Sequence, residues 1–132
     1  MKVLGLVVEY NPFHNGHFYH LSHSKEIVNP DVTVAVMSGN FVQRGEPAIV
    51  EKFARAKAAL EQGVDLVLEL PVVYSLQDAG GFATGSIWTL DHVGVTDVVF
   101  GSETDDIDLM KAVSKVLIKE PEHYHDLLKK HL

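Results

Sequence analysis

Two histidines three residues apart, with a glycine directly before the second, form the group best suited to chemistry in these 132 residues. They close the segment Glu9-Tyr10-Asn11-Pro12-Phe13-His14-Asn15-Gly16-His17. Imidazoles at His14 and His17, neighbours on a first helical turn, can donate hydrogen bonds to phosphate oxygens. A helix N-terminus beneath them offers free N–H groups and partial positive charge, both favourable to an anion. Gly16 has no Cβ, so a flat base or ribose can approach the backbone. Such a site suits a nucleoside triphosphate. Charge that builds on the α-phosphate as pyrophosphate departs would be stabilised, with no covalent protein intermediate. The plain alternative is a pair of surface or cap histidines, since four-residue matches arise easily. Context favours the chemistry, because the match follows a buried strand and opens a helix.

A rival reading groups His14, His17, His20 and His23 as a metal site. Each three-residue step falls about 60° short of a full turn, so His14 and His23 would face opposite ways. No nearby carboxylate completes a ligand set, so no metal centre is expected. His20 and His23 read as solvent-facing or packed polar residues. A second segment, Ser38-Gly39-Asn40-Phe41-Val42-Gln43-Arg44-Gly45-Glu46-Pro47, is a loop by its glycines and proline. Its one cation, Arg44, is a candidate substrate-binding residue for phosphate or a small carboxylate, or else a turn arginine. A third, Phe100-Gly101-Ser102-Glu103, places a glycine where backbone N–H groups can face a ligand. The acidic run Glu103, Asp105, Asp106, Asp108 reads as the favoured start of a helix ahead of a Mg²⁺ site. Lys52, Arg55 and Lys57 read as a helix's solvated face, and Trp88 as core.

These groups must be positioned by regular elements. Residues 3–8 are an uninterrupted apolar run, the mark of a strand buried on both faces. The pattern returns at 32–37, 65–70 and 97–100. Helical patterns lie between, over 16–28, 50–62 (closed by Gly63) and 78–92, the last weakened by Gly80, Gly81 and Gly85. Two more follow over 106–119 and 122–131, separated by Pro121. Strands alternating with helices predict an α/β fold, a Rossmann-like parallel sheet with helices on both faces, as one domain over 1–132. Ligands bind beyond the carboxyl ends of such strands. Segments 9–17, 38–47 and 101–105 lie there.

The net charge of −7 is uneven. Residues 1–57 carry six basic and five acidic side chains; residues 58–132 carry five and thirteen. A nucleic-acid binder shows the reverse balance, so any RNA partner must be gripped mainly by another segment. There is no cysteine, which excludes disulfides and thiolate metal sites and fits a reducing compartment. No apolar run approaches the roughly 20 residues that span a bilayer. A cytoplasmic protein with no membrane partner is the expectation.

The run His14-Asn15-Gly16-His17 resembles the first signature of the HIGH-type nucleotidyltransferases. The longer runs Val8–His17, Ser38–Ala48 and Gly63–Pro71 are similar to the bacterial tRNA(Met) cytidine acetate ligases, and the similarity covers nearly the whole chain. The resemblance implies activation of acetate by ATP, carried with Mg²⁺, to acetyl-adenylate. The acetyl group then passes to N4 of the wobble cytidine of elongator tRNA(Met). It implies a nucleotide site made by Val7, Val8, Glu9, Tyr10, Asn11, Pro12, Phe13, His14, Asn15, Gly16, His17, Phe18, Tyr19 and His20, with Gly101, and His14 and His17 as its catalytic pair. Family members are roughly three times longer, a multidomain size. The resemblance therefore implies an N-terminal portion, unable to acetylate tRNA alone, with further contacts beyond Leu132. Two other readings stand beside it. One is a small-cofactor adenylyl- or cytidylyltransferase, disfavoured because no lysine- or arginine-bearing second signature appears near the end. The other is a non-catalytic nucleotide-binding module.

Overall fold

Val3–Val8 is too apolar to leave either face in water, and it forms the inner strand β1 of a four-stranded parallel sheet. In this computed structural model, which describes residues 1–104 and 106–131, the chain divides into two compact units, Met1–Gly101 and Ser102–Leu132. The sheet belongs to the first. Its other strands are β2 (Val32–Ser38), β3 (Leu66–Leu70) and β4 (Asp97–Val98), in the order β3-β2-β1-β4. Val3 pairs with Val32 and Val8 with Met37; Val34 pairs with Leu66 and Ser38 with Leu70. All the strands therefore end at one edge, and β1 lies where the strand order reverses, the usual place for a ligand crevice.

Alternation of side chains sends Leu4, Leu6 and Val8 to one face of the sheet. There they pack with Leu21 and Val28 of α1 (Asn15–Val28) and Ala59 of α2 (Lys52–Glu61). Val3, Val34 and Val36 take the other face with Phe82 and Leu90. A four-residue turn of helix, α3 (Val72–Ser75), precedes the long helix α4 (Ala79–His92) that supplies this second layer. Helices thus cover both faces, as the sequence pattern predicts.

The departures are local. α2 begins at Lys52 because the Glu51 carboxylate caps it, accepting from Phe53 N and Ala54 N at 3.0 and 3.1 Å. Gly63, at φ 103°, turns the chain away after α2. β4 stops two residues short of Phe100, because as an edge strand it pairs only at Leu4 and Gly5 of β1. Trp88, expected in the core, is 54% exposed and lies against His92 at a ring separation of 4.1 Å. α4's buried side is taken by smaller residues, Gly85 and Ser86 with Phe82 and Leu90.

Low helix propensity in α4 is overridden by packing. A Cβ on Gly85 would sit 2.5 Å from the Tyr74 Cβ and closer still to its ring, so Gly85 is the seat on which α3 rests. Gly85→Ala is expected to destabilise the fold by about 1–3 kcal/mol from overpacking, despite a helix-propensity gain of up to about 1 kcal/mol. Urea unfolding reads this directly. A variant as stable as the parent would show that Tyr74 does not hold that seat.

In the second unit, Asp106 caps α5 (Ile107–Lys119) by accepting from Asp108 N and Leu109 N at 3.1 and 2.9 Å. The acidic run thus serves a helix start at Asp106; Asp105 lies outside the described residues. Helix α6 (Glu122–His131) follows Pro121. Among the described residues, no helix is long and apolar enough to cross a membrane.

Candidate functional site

The site is built from the turn that leaves β1. Tyr10 takes φ 48°, and its ring, 1% exposed, joins the core under α1. The Asn11 side chain fixes the turn from outside, its Oδ1 accepting from Ile49 N and Val50 N at 2.8 and 3.1 Å. Four rings then stand together. Tyr10 meets Phe13 edge-on at 4.6 Å and His17 at 5.0 Å, while His14 and His17 stack at 3.7 Å. Burial pushes the Tyr10 hydroxyl up to about 12, so it is a neutral phenol.

His14 is the N-cap of α1, its Nδ1 accepting from Gly16 N at 3.1 Å. The acceptor role of Nδ1 puts the proton of a neutral His14 on Nε2. A Cβ on Gly16 would lie 3.0 Å from the His14 ring, so this glycine makes room for the cap. Two sequence expectations change here. The Gly16 N–H is engaged by His14, and His17 N and Phe18 N both donate to His14 O at 2.9 and 3.0 Å. These three backbone N–H groups are therefore engaged within the turn itself.

A cleft of about 330 Å³ opens at the carboxyl end of β1, bordered by Val7, Val8, Glu9, Tyr10, His17, His20, Gln43 and Phe82. His17 and His20 are one helical turn apart, and both border the cleft. His17 Nδ1 and His20 Nε2 are buried without a hydrogen-bond partner in the chain. Burial lowers the pKa of both; the neighbouring His14 and His20 lower that of His17 further, and the Pro12 carbonyl, near the ring but without a well-formed hydrogen bond to it, offsets part of this. Both rings are therefore held neutral.

This gives a pH dependence. The unfolded chain takes up protons near the ordinary value of 6.5, before the folded one does. The stability contributed by the neutral rings is complete above about pH 6.5 and declines as pH falls through the lowered folded values. Urea midpoints between pH 7.5 and 5 are expected to fall with acidification, and to fall less in a His17→Gln/His20→Gln variant. Parallel profiles would remove these rings as the cause.

The other nominated residues are placed differently. Asn11, Pro12, Phe13, His14, Asn15 and Gly16 form the turn and cap beside the cleft. Phe18 and Tyr19 do not line it and are 46% and 69% exposed, with Tyr19 stacked on His23. His23 is exposed and pairs with Glu26 at 3.3 Å. Arg44 is exposed, with φ 66° inside a short 3₁₀ turn, and does not line the cleft. Gly101 is exposed at the end of the first unit, with open space where a Cβ would go. Among the described residues no cluster of three metal-ligating side chains exists.

Arg55 corrects the sequence reading most. Expected on a solvated face, it is 1% exposed. Its Nε donates to Val50 O at 2.9 Å, and its Nη1 donates to Glu9 O at 2.7 Å and Ser38 O at 3.1 Å. Its Nη2 donates to Gly39 O. Burial lowers its pKa, and Glu9, Glu51 and Glu69 pull it back. One guanidinium thereby ties the segment after β1 to the segment after β2. Glu9 adds a second tie, its Oε1 accepting from Gln43 N at 2.7 Å. Lys52, by contrast, pairs with Glu69 at 2.7 Å, and Lys57 stays exposed.

A parallel α/β sheet with a His-Asn-Gly-His turn at its inner strand is the arrangement of a nucleotidyltransferase. Residues 1–132 match the HIGH nucleotidyl transferase family model, and the chain belongs to that family. Curated relatives named tRNA(Met) cytidine acetate ligase are 64% identical in Kosmotoga olearia and 62% in Thermosipho africanus, each over the whole of this chain. The chain spans about 31% of the length of these relatives. The structure of Thermotoga maritima TmcAL bound with alpha-thio ATP is similar at TM-score 0.90 and 61% identity, over all of this chain and 33% of that one. The lipopolysaccharide core biosynthesis protein of Thermoplasma volcanium shares the fold alone, at TM-score 0.57 and 17% identity over 88% of each chain.

Proposed function

We propose that this chain is the nucleotide-binding part of an enzyme that activates acetate with ATP and transfers the acetyl group to N4 of the wobble cytidine in elongator tRNA(Met). The observation that carries the reading is the cleft beside β1. Two neutral imidazoles border it, each with a buried nitrogen that has no partner in the chain. The names of the 64% and 62% identical relatives support the acyl group and the acceptor.

ATP supplies the adenylyl group, with pyrophosphate leaving as acetate attacks the α-phosphate. His17 and His14 donate hydrogen bonds to the phosphate oxygens, where charge grows during displacement. Val7, Val8 and Tyr10 form an apolar wall for the nucleoside. Mg²⁺ would travel with the phosphates, needing few protein ligands. Arg44 and Gly101 remain proposed contacts for substrate and nucleotide.

Calorimetric titration with ATP or a non-hydrolysable analogue tests the first half of this reading, and saturable binding is expected. Pyrophosphate release by the intact protein, with and without acetate and tRNA, tests the second, and acetate dependence is expected. Well-folded protein that ignores millimolar ATP would defeat the proposal.

A further inference from the structure

We propose that the cleft between α2 and the end of β3 receives the cytosine ring of the acyl acceptor, with Glu69 accepting its exocyclic amine. The inference rests on the reading that the acceptor is a cytidine. Two small cavities adjoin at the carboxyl ends of β2 and β3. One, about 120 Å³, is bordered by Lys52 and Phe53, the other, about 150 Å³, by Phe41, and Gly39 and Glu69 border both. Pockets for larger ligands are roughly 300–1,000 Å³, so these suit a single ring.

Glu69 lies directly over Gly39, where any Cβ would overlap its carboxylate. Its Oε2 takes the Lys52 ammonium at 2.7 Å, with the side chains 25% (Lys52) and 52% (Glu69) exposed. The pair stands at the mouth of the cleft as an acceptor beside a donor. Its near-zero net charge gives no advantage to a free carboxylate or phosphate. Cytosine matches it, with an N4 amine to donate and N3 and O2 to accept. Uracil would set its O4 against the Glu69 carboxylate, acceptor against acceptor. Phe53 and Phe41 are 73% and 43% exposed, giving each cavity an aromatic face on which an unstacked base can lie. The Lys52 ammonium sits 5.4 Å from the centre of the Phe53 ring. Arg55 joins this cleft to the one beside β1, since it holds Glu9 O and Gly39 O together.

The test is binding of two RNA anticodon stem-loops, identical but for cytidine or uridine at the wobble position, to the intact protein. The wild type is expected to prefer the cytidine loop by about tenfold or more. Glu69→Gln is expected to erase most of that preference, because an amide both accepts and donates. Lys52→Met is expected to weaken the cytidine loop. Partly exposed ion pairs contribute little to stability, so these variants should fold. Equal binding of both loops by the wild type would overturn the proposal. So would a Glu69→Gln variant that keeps the preference or loses both loops equally. Acetate-dependent ATP–pyrophosphate exchange by the wild type, run without RNA, judges the adenylation reading separately.

Discussion

Replacing Arg55 by alanine is expected to cost about 3 kcal/mol or more of folding stability, among the larger effects a single substitution produces. The side chain is 1% exposed and donates to four carbonyls: Val50, Glu9, Ser38 and Gly39. Removing it leaves those oxygens without this donor, and the bonds to Ser38 and Gly39 are buried, so each of these oxygens costs about 1–3 kcal/mol where water cannot reach it. Arg55→Lys is expected to recover part of the loss, since an ammonium on a longer stem lacks the planar fork that serves both strand ends at once. Its nucleotide affinity should stay reduced at temperatures where it is folded, because Glu9 borders the cleft. Arg55→Met keeps the volume and removes the donors. If that variant were within about 1 kcal/mol of wild type in urea, the four bonds would not carry the weight assigned to them.

His17→Ala, in the intact enzyme, is expected to slow the pyrophosphate-forming step by about 10²-fold, or about 2.7 kcal/mol of barrier, with a smaller loss of ATP affinity. His17 stands over Tyr10, is stacked on His14, and is held neutral by burial. A neutral donor fixed by its neighbours needs no reorganisation as charge develops. His20→Ala should do less to the rate, since His20 sits one turn further along α1. His23, exposed and paired with Glu26, is the inert comparison. Single-turnover pyrophosphate release separates rate from affinity. Near-normal turnover of His17→Ala would exclude it from the mechanism.

The parallel sheet was legible from apolar runs such as Val3–Val8, because a strand buried on both faces leaves no polar alternation to confuse it. The turn before α1 was legible from its residue types. Less legible were features set by partners distant in sequence. Arg55 lies on a helix where Lys57 faces solvent and Lys52 is half-buried against Glu69, and nothing in its local pattern marks it as buried. A signal was present in retrospect: Ser38 and Gly39 end a buried strand with carbonyls that need donors. Trp88 erred the other way. An apolar helix with three glycines looks like core throughout, yet only the Phe82, Gly85, Ser86 and Leu90 side is buried.

The sequence by itself determined the strands and long helices, their order and the position of the His14–His17 turn at the carboxyl end of β1, because these follow from local periodicity and turn chemistry; the short helix α3 was not among them. Only the tertiary structure decided which way each side chain of that turn faces. It gave His14 to the cap and His17 and His20 to the cleft, and left Phe18 and Tyr19 exposed outside its lining. It also decided that Gln43, Phe82 and Arg55 belong to the site. They arrive from a loop and two other helices, and their hydrogen bonds and contacts exist only once the strands have brought distant carbonyls and apolar faces together.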